Sequence, residues 1–138
     1  MSALGIDIGG TTTVAVVLER GRVLASRHVP TRRGEGVVAS AVVAAREALA
    51  AADTRVEQLE GVGLGVPGFV GDDRTLVRGA VNIGIETLDI GAAVGAGLGV
   101  PVTVDNDVRV AVLGWRRLAS LQRLIGSPER SLLFEHQP

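Results

Sequence analysis

Two apolar runs, Ala3 to Ile8 and Val14 to Leu18, flank the segment Gly9-Gly10-Thr11-Thr12-Thr13, and a single carboxylate, Asp7, stands just before it. Apolar, β-branched runs about a Gly-Gly pair fold most simply as two strands joined by a tight bend, since glycine takes backbone conformations closed to other residues. Such a bend also has the chemistry of a phosphate-and-metal cradle. With no Cβ in the way, backbone N–H groups can be aimed at an anion. The three threonines add short hydroxyl donors, and Asp7 can hold Mg²⁺ directly or through water. The same residues also fit a glycine-rich hairpin turn that binds nothing.

Along the chain, Val14 to Leu18 is followed by a turn at Glu19-Arg20-Gly21-Arg22, and strand character resumes from Val23 to Val29. The expectation is a three-strand antiparallel meander with the glycine turn at its first bend. Val37 to Ala52 reads as a helix, because Val38, Ala41, Val42, Ala45, Ala48 and Leu49 recur at helical spacing while Arg46 and Glu47 fall outside them. Gly61 to Val66 is a buried strand ended by Pro67-Gly68. Residues 71–87 read as a polar, acidic loop containing Ala80-Val81-Asn82-Ile83. A glycine-diluted helix is expected over Leu88 to Leu98, then a strand from Pro101 to Val104 ending in Asp105-Asn106-Asp107. A last helix starts near Asp107, with Val108, Ala111, Val112 and Trp115 on one face.

This order predicts an α/β fold in which an antiparallel N-terminal meander joins parallel βαβ strands in one mixed sheet, with right-handed crossovers. At 138 residues the chain has the size of one ordinary domain, and its 46% hydrophobic content supports a packed core built from Val, Leu, Ile and Ala. The net charge of −1 gives no electrostatic case for binding nucleic acid or an anionic membrane. All 14 basic residues are arginine, which reads as codon bias rather than chemistry. Without cysteine there is no disulfide, thiolate nucleophile or cysteine-ligated zinc within these residues. No stretch is apolar enough to span a bilayer, and no cleavable leader opens the chain, so it reads as cytoplasmic.

In sheets of this kind ligands bind outside the carboxyl ends of the strands. Three polar or glycine-rich segments fall at such ends: Asp7 to Thr12, Pro67-Gly68 and Asn106-Asp107. If the strands are adjacent, the segments share one cleft. Asp107, at a strand end and a helix start, suits a general base that accepts a proton from a substrate hydroxyl as it attacks phosphorus. It equally suits a helix N-cap. Gly68 either admits a ligand to the backbone or makes a tight turn, and Asn82 either bonds a sugar hydroxyl or serves as a turn residue.

Taken together, Asp7-Ile8-Gly9-Gly10-Thr11-Thr12, Gly63-Leu64-Gly65-Val66-Pro67-Gly68-Phe69-Val70, Ala80-Val81-Asn82-Ile83 and Pro101-Val102-Thr103-Val104-Asp105-Asn106-Asp107 resemble, in order and spacing, the amino-terminal lobe of the ROK family. That family of repressors and sugar kinases belongs to the actin-like, ribonuclease-H-like ATPase superfamily. The resemblance covers roughly residues 4–114. It implies an ATP-dependent kinase, glucokinase-like, that phosphorylates a hexose hydroxyl with ATP and Mg²⁺. By the resemblance, Asp107 would be the catalytic base and Asn106 would hold adjacent sugar hydroxyls. Gly68 and Asn82 would line the sugar pocket. The backbone of Gly9, Gly10, Thr11 and Thr12 would cradle the ATP phosphates, and Asp7 would orient Mg²⁺ or its waters. Catalysis would rest on positioning and charge neutralisation.

The chain departs from the family pattern at several points. Many members carry lysine where Thr12 stands, so phosphate contacts here would rest more on backbone and hydroxyls. Arg109 and Trp115 replace an asparagine and a glutamate usual in the family. The second lobe, which would supply the adenosine surface, is not recognisable after residue 114. The expectation is therefore one lobe over 1–114 and a helical extension or non-family tail over 115–138, from truncation or a frame change. Such a lobe is not expected to turn over alone, since closure of two lobes completes the site. Its partners would be a small-molecule sugar and ATP, and apolar surface left by a missing lobe would favour a homo-oligomer. The rival reading is the sugar-sensing lobe of a ROK-type repressor without its DNA-binding domain. A related kinase of the N-acetylglucosamine type, or an ATPase activator domain, is a further alternative.

Overall fold

The computed structural model describes residues 2–71 and 76–106. Strands β1 (Ser2–Ile8), β2 (Thr12–Glu19) and β3 (Arg22–Pro30) form the expected antiparallel meander. Helix α1 (Gly36–Ala51) crosses the sheet and returns the chain as β4 (Leu59–Gly65), which pairs parallel to β1. After helix α2 (Ile90–Leu98) the chain enters β8 (Thr103–Asp105), parallel to β4. The main sheet therefore runs β3-β2-β1-β4-β8, mixed in direction and with β1 at its centre.

The alternation of side chains along each strand decides what the sheet buries. Leu4, Ile6 and Ile8 of β1 join Ala15 and Val17 of β2 and Val62 and Leu64 of β4 in one core with the buried residues of α1. On the other face of β1, Ala3, Gly5 and Asp7 lie side by side with Gly61, Gly63 and Gly65 of β4. Burying six or more aliphatic side chains at about 1.5–3 kcal/mol each makes this central layer the main source of stability.

Helix α1 buries Val37, Ala41, Ala44, Ala45, Ala48 and Leu49, a face rotated slightly from the one its periodicity suggests. Val38 and Val42 are only half-buried, and Val42 turns toward α2. A Cβ on Gly97 would stand 2.7 Å from Val42 Cγ2, so glycine there lets the two helices meet. The glycine-diluted helix α2 is held at both ends. Asp89 Oδ1 accepts from Ala92 N–H at 3.2 Å, and Gly99, with φ of +82°, closes the last turn onto Gly95 O at 2.7 Å.

Residues 71–87 are not simply a loop. Strands β5 (Phe69–Val70), β6 (Val77–Ala80) and β7 (Ile85–Leu88) make a separate three-stranded antiparallel sheet. A single 3-10 turn, Val81–Ile83, joins β6 to β7, and Gly84 ends it in the left-handed region with φ of +74°. Val77, Ala80, Ile83 and Ile85 are buried in the common core, so this small sheet anchors onto the large one through few but fully desolvated aliphatic groups. The expected helix from Asp107 and the expected tail over 115–138 lie outside the described residues.

Candidate functional site at the carboxyl ends of the parallel strands

Asp7 sits one residue before the end of β1, half-buried. In the parallel register Asp7 lies beside Gly65, and Gly65 beside Asp105 of β8. Residues in register on parallel strands point to the same face, and Gly65 contributes no side chain. Two carboxylates thus occupy one row, with their backbones roughly 10 Å apart at the usual strand spacing. The expectation of adjacent strand ends therefore holds for β1, β4 and β8.

The turn after β1 is tighter than the sequence suggests. Gly9 N–H donates to Thr12 O at 3.0 Å, so this donor closes the turn itself. A Cβ on Gly9 would stand 2.9 Å from that same oxygen. Gly10 is exposed at the apex, and a Cβ there would meet nothing nearer than Asn82 O at 3.8 Å. Thr11 is exposed and its carbonyl accepts from Thr31 N–H at 2.9 Å. Thr12 opens β2 and is half-buried. Thr13 is fully buried, its Oγ1 2.7 Å from Thr31 Oγ1. The third hydroxyl therefore braces β2 from within, and only Thr11 and Thr12 remain at the mouth of the turn.

The other expected residues gather around this turn. Asn82 is exposed in the 3-10 turn, and its carbonyl oxygen is the nearest neighbour of the open position over Gly10. Gly68 has φ of +111°, where other residues are strained, and a Cβ there would lie 2.7 Å from Arg78 O and 3.2 Å from Ala80 Cβ. Gly68 is thus wedged against β6, one residue before the turn that carries Asn82. Val66 N–H donates to Asp105 O at 2.9 Å, tying the start of Pro67-Gly68 to the end of β8. Asn106 follows β8 in an exposed bend. The described candidates, Asp7, Gly9, Gly10, Thr11, Thr12, Gly68, Asn82 and Asn106, therefore share one edge of the molecule. Asp107 lies outside the described residues.

Three further residues, Thr31, Arg33 and Gly34, shape this edge. Arg33 Nη1 donates to Asn82 O at 2.6 Å and Nη2 to Val81 O at 3.0 Å. Gly34 N–H donates to Ile83 O at 2.6 Å, and a Cβ on Gly84 would stand 3.1 Å from Gly34 N. The segment after β3 thus clamps the Asn82 turn by side chain and backbone together. Thr31, through Thr11 and Thr13, clamps the glycine turn. No local pattern marks Arg33, because its partners lie 48 and 49 residues away in sequence. The strand alternation that places Ala15 and Val17 in the core puts Thr13 on the same face, but its register partner on β3 is Val29, so alternation alone does not single out Thr31.

The resemblance implies ATP and Mg²⁺, and the chemistry of the residues present fits both. The space over Gly10 is open where a Cβ would otherwise project, Thr11 and Thr12 follow it in the turn, and the carboxylate of Asp7 is the hard oxygen chemistry that Mg²⁺ prefers. No group of three or more metal-ligating side chains occurs among the described residues, nor does any helix long and apolar enough to cross a membrane.

Fold and site define a lobe of the ribonuclease-H-like, actin-like ATPase class, with a glycine hairpin and two carboxylates in one row at the ends of its parallel strands. The ROK family model matches residues 3–124, and the chain belongs to that family. A glucokinase of Streptomyces coelicolor is 35% identical over 113 residues, covering 80% of this chain and 34% of its own length. Among solved structures, a ROK family glucokinase from Streptomyces griseus in complex with glucose and AMPPNP is 34% identical, with a TM-score of 0.66 over 86% of this chain and 37% of that one. A ROK hexokinase from Thermus thermophilus is 33% identical, with a TM-score of 0.68 over 76% of this chain and 35% of that one. The chain spans about a third of the length of the curated relatives it matches.

Proposed function

We propose that this chain forms the phosphate- and sugar-facing lobe of an ATP-dependent hexose kinase of glucokinase type. The observation that carries this reading is the meeting of the open glycine turn at Gly10 with Asn82, Gly68 and the Asp105-Asn106 strand end on a single edge. The similarity to glucokinases supports the substrate class. In this reading Asn82, Gly68 and Asn106 hold the hexose so that one hydroxyl faces the phosphates lying over Gly10, Thr11 and Thr12. Asp107 accepts the proton of that hydroxyl, following directly on Asn106. Mg²⁺, when bound beside Asp7, supplies charge neutralisation on the transferred phosphoryl group. The fixed strand ends hold the reactants in line, which is where most of the acceleration in phosphoryl transfer arises.

Titrating the ¹⁵N-labelled chain with Mg·ATP and with glucose tests the reading. Mg·ATP is expected to shift the amides of Gly10, Thr11 and Thr12, and glucose those of Gly68, Asn82 and Asn106. Shifts from glucose with none from Mg·ATP would favour a sugar-sensing lobe of a repressor instead. Shifts from neither ligand would overturn the kinase reading.

A further inference from the structure

The glycine turn has no cation of its own, for no basic residue occurs between Met1 and Glu19 and the chain contains no lysine. Within this chain, which has no lysine, a basic side chain at bound phosphate would be an arginine brought there by the fold. Arg33 is the one the geometry favours. Its Nη1 is 2.6 Å from Asn82 O, and that oxygen is also the nearest atom to the open position over Gly10, at 3.8 Å. Guanidinium and turn apex are neighbours across one carbonyl oxygen. The second donor, to Val81 O at 3.0 Å, fixes the plane of the guanidinium. Among the described residues its hydrogen-bond partners are these two carbonyls, which hold the group in place without neutralising it. The side chain is exposed, and a guanidinium carries five N–H donors, of which the two carbonyls take two.

We propose that Arg33 is the phosphate-binding cation of this site, presenting its remaining donors to the polyphosphate chain lying over Gly10. This rests on the kinase reading and gives the turn the basic partner that Thr12 does not supply. An arginine pre-set by two hydrogen bonds loses little freedom when it meets an anion, and its planar fork matches phosphate oxygens.

The test uses inorganic tripolyphosphate with Mg²⁺, and separately Mg·ATP, titrated calorimetrically into the full chain and its Arg33→Gln and Arg33→Lys variants. A charge-assisted contact of this kind corresponds to roughly a tenfold or greater loss of affinity when removed. Arg33→Gln is expected to weaken tripolyphosphate binding at least tenfold and to flatten its dependence on salt, while Arg33→Lys recovers most of the affinity. The Gly34 and Gly84 amide resonances report in parallel whether the clamp on the Asn82 turn persists. If wild type binds tripolyphosphate with shifts at Gly10 to Thr12 but Arg33→Gln binds it equally well, the assignment of Arg33 fails and the kinase reading stands. The assignment also fails if Arg33→Lys binds as poorly as Arg33→Gln, since the clamp rather than the charge would then matter. Absence of binding in wild type overturns both.

Discussion

Substituting Gly68 by alanine separates steric demand at the site from simple backbone preference. At Gly68 two penalties combine. The φ of +111° costs a non-glycine residue on the order of 1–3 kcal/mol. The new Cβ would lie 2.7 Å from Arg78 O, a backbone atom of β6 that can retreat only by moving the strand, and forced contacts of this kind cost about 1–3 kcal/mol more. Gly99 provides the control, since its φ is +82° but nothing lies within 4 Å of its Cβ position. Left-handed strain alone costs roughly 1–2 kcal/mol there. Both substitutions recover about 0.4–1 kcal/mol through the less flexible unfolded chain. Gly68→Ala is therefore expected to destabilise by about 1–5 kcal/mol, and by about 1–3 kcal/mol more than Gly99→Ala, which lacks the contact. Urea denaturation followed by circular dichroism, with slopes compared to confirm that the same surface unfolds, measures both. Equal losses for the two variants would refute the claim that Gly68 is wedged against β6.

Thr13→Val should cost about 1–2 kcal/mol by leaving Thr31 Oγ1 without its partner at 2.7 Å, whereas Thr13→Val with Thr31→Val should lie within about 1 kcal/mol of wild type. Calorimetric melting of these two variants and of Thr31→Val completes the cycle, and neither substitution should change tripolyphosphate affinity if the Thr13 hydroxyl lies outside the cradle. Gly97→Ala should destabilise by about 1–3 kcal/mol through its contact with Val42 Cγ2, and Val42→Ala in the same chain should recover part of that loss, as read by chemical denaturation. No recovery would mean that the α1–α2 contact is not what constrains Gly97.

The meander and the parallel strands are legible in the sequence because each strand is a β-branched or aliphatic run cut off by a residue that cannot continue it: Gly9-Gly10, Gly21 and Pro67-Gly68. The shared edge at Asp7, Gly68 and Asn106 follows from topology, since parallel strands put their carboxyl ends together. The small sheet over residues 69–88 is not legible. Its strands are two to four residues long, too short for alternation to stand out, and Asn82 reaches Gly10 only because that sheet packs on the core. The loss of Gly9 N–H to the turn depends on a backbone bond that no side chain signals. The Arg33 clamp spans nearly fifty residues and is invisible to any local reading.

The central claim is that phosphate lies over the open apex of the glycine turn, and Gly10→Ala tests it most directly. The fold has room for this methyl group, whose nearest neighbour would be Asn82 O at 3.8 Å, so stability should be unchanged or raised by about 0.4–1 kcal/mol. The methyl would nevertheless occupy the space assigned to the phosphate. Calorimetric titration of the folded variant with Mg·ATP should therefore show binding weakened at least tenfold at an undiminished melting temperature. Wild-type affinity in Gly10→Ala would contradict the account.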